Sequence, residues 1–192
     1  MNPHTLISRC LAVVALTLCL AAVAQQPVGA TSPPAGGIPG PVAGNPLDVV
    51  PEKMPFNVPY GPPISAQRAQ TAIQAAIGEA ARRGWPMNVT VVDSASNLVA
   101  FVRMDGAQIG SIAVSEHKAR TAAKFRRATR VFEDNLQTKD YKYILSLDDA
   151  IAVRGGIPLI EDGKLIGAIG CSGATGSQDE VVCTAGAATI NK

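Results

Sequence analysis

The sequence predicts an α/β domain of the α+β kind, a mostly antiparallel sheet of about five strands with helices packed on it. Three observations carry that prediction. Two pairs of β-rich runs are each joined by turn chemistry, apolar residues recur at helical spacing on either side of the pairs, and no strand needs a parallel crossover.

The elements follow in order. Ser65 is a good N-cap, and Ala69, Ala72, Ile73, Ala76, Ile77 and Ala80 recur at helical spacing until Gly84 ends the first helix. Asn88 to Asp93 and Leu98 to Met104 are β-rich and flank Asp93-Ser94-Ala95-Ser96-Asn97, which reads as a hairpin turn. A second helix runs from about Ser111 to Arg127, marked by Ile109, Ile112, Ala113, Ala119, Ala122 and Ala123. Val131 to Leu147 offers only short helical turns and loop. The runs Ile157 to Glu161 and Lys164 to Gly170 flank Asp162-Gly163, a favoured hairpin pair. Pro158 lacks an amide donor, so its strand is expected at an edge or at a strand start. Ser177 and Glu180 form a capping-box pattern that opens a last helix carrying Val181, Val182, Ala185 and Ile190.

The chain has 192 residues, and its ends differ in kind. Arg9 followed by an uncharged apolar run from Cys10 to Val23 reads as a signal peptide over residues 1–24. Ala22 and Ala24 supply the small-residue cleavage pattern, and Gln25 the new terminus. The run is short for a bilayer span, so no membrane association is expected after cleavage. Localisation is then periplasmic or secreted. Residues 25–63 are dense in proline and glycine and read as a flexible arm. Met54, Phe56, Val58 and Tyr60, spaced by two, could instead lie along a neighbouring surface. Residues 64–192 form the domain. A net charge of +2, with no aromatic residues interleaving a basic patch, argues against a nucleic-acid partner. Once the leader is removed only Cys171 and Cys183 remain. An even pair in an exported chain suggests a disulfide, two buried cysteines that never meet being the alternative.

Familiar catalytic constellations are missing. His117 is the mature chain's sole histidine, which rules out a multi-histidine cage or a Cys/His zinc site. The stretch Gly170-Cys171-Ser172-Gly173-Ala174 does not have nucleophile-elbow spacing, and no glycine-rich segment continues as a P-loop.

Taken in order, Val91-Val92-Asp93, Leu98 to Ala107, Lys118-Ala119-Arg120-Thr121-Ala122, Gly155-Gly156-Ile157-Pro158-Leu159, Asp162-Gly163, Ile166 to Gly170, Ser172-Gly173 and Gln178-Asp179-Glu180 form a recognisable set. From Ser65 to the terminus the chain resembles the GlcG/HbpS-like haem-binding family. The resemblance implies a profilin-like, GlcG-like α+β fold with an antiparallel sheet. It also implies a homo-oligomer, in rings or higher assemblies, and haem or a related tetrapyrrole as ligand in at least some members. The expected function is an exported haem-binding protein that stores, buffers or senses its ligand. The alternatives are an enzyme acting on a small carboxylate or on bound haem, and a cofactor-free oligomeric accessory of an exported redox system. The lack of a paired acid and base weighs against an enzyme.

A haem site needs an apolar cover, an axial ligand and cations for two propionates. His117 is the axial candidate for the iron, with Arg120 nearby and Thr121 one helical turn away on the same face. An exposed histidine on a charged helix face is the plainer reading, and helix packing the plainer role for Thr121. Arg103 and Asp105 straddle a strand end, where they either pair with each other or contact a ligand carboxylate. Gly155 and Gly156 permit unusual backbone angles or close approach to a flat ligand.

Overall fold

The computed structural model describes Gly44 and residues 46–191. The expected signal peptide and its cleavage site lie outside the described residues. Helix α1 spans Ala66–Arg83, with the Ser65 hydroxyl accepting from the Arg68 amide at 3.4 Å and Gly84 ending it at φ 67°. Strands β1 (Asn88–Asp93) and β2 (Leu98–Arg103) form the first hairpin. Helix α2 (Ser111–Phe125) stops two residues earlier than its apolar pattern suggests, because Arg126 turns left-handed at φ 54°. Helix α3 (Thr129–Thr138) and a 3-10 turn (Lys142–Ser146) fill the stretch expected as short helical turns. Strands β3 (Gly156–Glu161) and β4 (Lys164–Ser172) close through Asp162 (φ 47°) and Gly163 (φ 71°), two successive positive φ values as a tight primed turn requires.

Helix α4 (Gly176–Ala187) corrects the capping expectation. Its N-cap is Thr175, whose hydroxyl and backbone are answered by Gln178, rather than the Ser177 and Glu180 pair. Glu180, one turn in, instead faces Arg130 and Arg154.

The strands make one antiparallel sheet in the order β2-β1-β4-β3, so the count is four rather than about five. Ahead of α1 the chain adds only an isolated parallel bridge, Tyr60 to Leu165, and no fifth strand. β1 reaches only as far as Gly167 on β4, and the chain before α1 takes up the ladder beyond it. Gly61 N donates to Leu165 O, Leu165 N to Pro59 O and Ile64 N to Ile166 O. Within the expected arm, residues 56–61 are therefore docked on the domain. Val58 packs into the core, the Arg126 guanidinium donates to Val58 O, and Arg127 stacks on Phe56.

Helices α1 and α4 cover one face of the sheet and α2 the other. The α1/α4 side holds the larger core, with Ile73, Met87, Val89, Val91, Leu159, Ile169 and Val182 fully shielded. The α2 side is built from small residues, Ala119, Ala122, Ala123 and Ala168, with Val92 and Leu165. Opposite β3, β4 carries one extra residue at Ile166, where partner Leu159 meets Gly167 and Ile160 meets Leu165. That bulge swaps the strand's faces, which is why Leu165 joins the α2 side and Ile166 the other.

Pro158 sits in edge strand β3, as its missing donor requires. The other outward groups of β3 are taken by side chains. Gly156 N donates to Thr129 Oγ1 (2.9 Å) and Ile160 N to Asn191 Oδ1 (2.7 Å), and Asn191 Nδ2 donates to Pro158 O (2.9 Å).

Small residues let α2 lie directly on the strands. A Cβ on Gly156 would press into the Lys118 carbonyl, and one on Gly170 into the Ser115 carbonyl, each closer than real Cβ atoms come. Gly156→Ala is accordingly expected to lower stability by about 1–3 kcal/mol through overpacking, seen as a lower urea midpoint at unchanged m-value. An unshifted midpoint would show that α2 can move off the sheet at no cost.

Candidate functional site

Three consequences of α2's placement define the site. Its inward stripe, Ser115, Lys118, Ala119 and Ala122, meets the sheet, while Ala113, Glu116, His117 and Arg120 face a groove of about 260 Å³ completed by Asp149. The loop bearing Asp149 is held to α2 at two points. Thr121 Oγ1 donates to Asp149 O (3.0 Å) and accepts from Ile151 N (3.0 Å), and Lys124 Nζ pairs with the Asp149 carboxylate. That ion pair holds the exposed Asp149 carboxyl below its usual range, through hydrogen bond and charge alike.

Within the groove, His117 Nε2 is buried and has no hydrogen-bond partner among the described residues, and the same is true of Arg120 Nε. Another guanidinium nitrogen of Arg120 pairs with Glu116 at 2.6 Å, one turn back on the helix. A buried nitrogen without a partner normally costs free energy, so an orphaned imidazole nitrogen beside an underused guanidinium marks a place where an added group would be stabilised.

The remaining sequence candidates fall elsewhere. Thr121 is buried with its hydroxyl already donating and accepting, which makes it a staple for the 149–151 loop rather than a group free for a ligand. Arg103 does not pair with Asp105. Its Nε donates to Ala107 O at 3.3 Å, and both residues border a separate hollow at the end of β2. Gly155 and Gly156 do permit close approach, but to the protein itself. Gly155, at φ 111°, lies against Asp179, the Cys171 carbonyl and Lys118 Nζ, and Gly156 against Lys118 and Thr129, leaving no space for a planar ligand.

Beneath those glycines is a feature the sequence reading missed. Lys118, fully buried, places Nζ 2.6 Å from Asp179 Oδ2 and 3.1 Å from Cys171 O. The other Asp179 oxygen accepts from Gly173 N and Ala174 N, both at 3.1 Å. Burial drives the Lys118 ammonium below its ordinary range and the Asp179 carboxyl above it, each opposed by the partner's charge. One turn along α4 from Asp179, Cys183 is joined to Cys171 with their Cα atoms 5.5 Å apart, as the sequence reading expected of this pair. A lysine at the spacing of Ser115 and Ala122 was the available signal, since that stripe faces the sheet.

Residues 64–188 match the family model described as haem degrading protein HbpS-like. The chain belongs to this HbpS-like family. Protein GlcG of Escherichia coli is 36% identical over 109 residues, 57% of this chain and 81% of GlcG. A double mutant of Streptomyces reticuli HbpS superposes with a TM-score of 0.64 at 25% identity, covering 81% of this chain and all of that one. The crystal structure of a PduOC:heme complex matches with a TM-score of 0.61 at 27% identity, over 67% of this chain and 96% of that one. HbpS-like membership and the four-stranded antiparallel sheet with helices on both faces agree on the α+β class read from the sequence. Among the described residues no helix is long and apolar enough to cross a membrane.

Proposed function

We propose that this protein binds haem in the α2 groove, with His117 as the axial group and Arg120 as a partner for a propionate. The observation that carries the reading is the orphaned His117 Nε2 beside Arg120. Membership of a family named for haem and a solved relative that is a haem complex support it. The residues fit the group in two respects. An imidazole is an ordinary iron ligand, and a guanidinium suits a carboxylate. Haem would supply its iron chemistry there, and the chain would supply the ligand nitrogen, the cation and the rigid helix. Glu116 and Asp149, already paired with Arg120 and Lys124, bring little unbalanced negative charge against propionates. At about 260 Å³ the groove is smaller than the ~300–1,000 Å³ typical of ligand sites, so one copy grips an edge of the macrocycle. Cover for the rest is the part a homo-oligomer would provide.

In the same reading the protein is exported to the periplasm or beyond, cleaved near Gln25, and stores, buffers or senses haem. The family's description favours one second reading, in which bound haem is also degraded. Haem titration read by visible spectroscopy tests the binding, a saturating Soret shift being the expected result. His117→Ala is expected to alter the spectrum, and Arg120→Ala to weaken affinity by about 1.5–3 kcal/mol with the spectrum kept. An unchanged spectrum and affinity in folded His117→Ala protein would remove His117 from the iron. Progressive loss of the Soret band under a reductant, absent from a free-haem control, would select the degrading reading. Intact mass from a periplasmic extract decides the export claim, full-length protein there being the contrary result.

A further inference from the structure

We propose that a second site, between α3, the 142–146 turn and the segment at residues 47–56, binds a small aromatic carboxylate with Arg127 as its anchor. Two adjoining hollows of about 220 and 430 Å³ share Arg127, Asn135 and Tyr143 as a common wall. Phe125, Phe132, Ile144 and Leu147 enclose the narrower one. Phe125 and Phe132 meet edge to face, 5.2 Å between centroids, and so present aromatic surface suited to a flat ring.

The polar groups at this wall are unspent. Arg127 Nε donates to Phe125 O at 3.0 Å, and the guanidinium lies 3.5 Å from the Phe56 ring centroid and 5.3 Å from that of Phe132. Among the described residues its two terminal nitrogens have no hydrogen-bond partner and no carboxylate lies within ion-pair distance. Arg154, by contrast, is bracketed by Glu133, Asp134 and Glu180. Burial lowers the Arg127 pKa from its ordinary value, with the Tyr143 phenol close enough to act on it electrostatically. The side-chain amide of Asn135 and the Tyr143 hydroxyl also make no hydrogen bond among the described residues.

Among the described residues no acidic one lines either hollow, and Lys139 adds a second cation to the wider one. The His117 groove differs in holding two acids, Glu116 and Asp149, each already paired with a cation. A half-buried guanidinium with an amide and a phenol beside it matches the two oxygens of a carboxylate, and the aromatic walls match a ring. The loop that carries Asp149 to the first groove carries Leu147 to this hollow.

The test titrates the full chain with benzoate and with its neutral counterpart benzamide, by calorimetry and by the ring resonances of Phe132 and Tyr143. Benzoate is expected to bind saturably with a dissociation constant below about 1 mM, and benzamide at least tenfold more weakly. Arg127→Gln should weaken benzoate at least tenfold and Arg127→Lys less. Because Arg127 also stacks on Phe56, Asn135→Leu provides a variant that leaves the stack in place, with a several-fold loss expected. Benzamide binding as tightly as benzoate, no saturable benzoate binding, or benzoate affinity untouched by both Arg127→Gln and Asn135→Leu in folded protein would each overturn the proposal.

Discussion

Lys118→Met is expected to cost about 3–5 kcal/mol, because it strands the Asp179 carboxylate in a site from which water is excluded. In thermal unfolding that loss corresponds to a fall in Tm of roughly 10 °C or more. The ion pair itself need contribute little, since burial opposes the charged form of each partner. What is expensive is leaving one charge behind. The double variant Lys118→Met/Asp179→Asn is therefore expected to recover most of the stability. An amide oxygen at position 179 can still accept from Gly173 N and Ala174 N while carrying no charge. A single variant within about 1 kcal/mol of the parent, below the usual cost of breaking a buried pair, would show that Asp179 finds another partner or water.

Loss of the Cys171–Cys183 disulfide is the second large effect, at about 3 kcal/mol from the chain entropy of a loop this short. Urea unfolding of the parent with and without a strong reductant, beside Cys171→Ala/Cys183→Ala, measures it. Equal midpoints would mean that packing of α4 alone fixes the junction. The cross-link and the ion pair hold the same joint: Cys171 O accepts from Lys118 Nζ, and Asp179 and Cys183 sit one turn apart on α4. Combining Lys118→Met with removal of the disulfide is thus expected to depart from the sum of the two losses.

Much of the fold was legible because it is written in local chemistry. Ser65 and Gly84 bound α1, Asp93 to Asn97 and Asp162-Gly163 turn the two hairpins, and Pro158 announces an edge. The strand count was overestimated: only four runs carry local β signals, and those four make the whole sheet, with a single bridge from Tyr60 beside them. The capping box was misplaced by two residues because Ser177-x-x-Glu180 and Thr175-x-x-Gln178 are both plausible boxes, and only the trajectory out of β4 selects the second.

The candidate site was legible less evenly. His117 and Arg120 share a groove as their spacing implies, but the Asp149 that completes it comes from a loop far along the chain. Gly155 and Gly156 were marked for close approach to a flat ligand. What approaches is α2 and Asp179, a fact that depends on tertiary packing. Lys118 escaped notice because a charged residue is read as solvated unless its helical face is weighed first, and that face is otherwise serine and alanine.

The side chains along β3 have a consequence for how such a sheet can grow. With Gly156 N and Ile160 N satisfied by Thr129 and Asn191, and Pro158 without a donor, that border offers an incoming strand no free donor. Among the described residues no strand pairs with the outer side of β2, so the sheet is one-ended for lengthening. A one-ended sheet can join another only head to head, in a closed two-fold pair, whereas a sheet open at both borders could propagate without limit. Asn191→Ala would release only Ile160 N and Pro158 O, with Gly156 N still held by Thr129 and Pro158 still without a donor, so the border is closed by more than one lock.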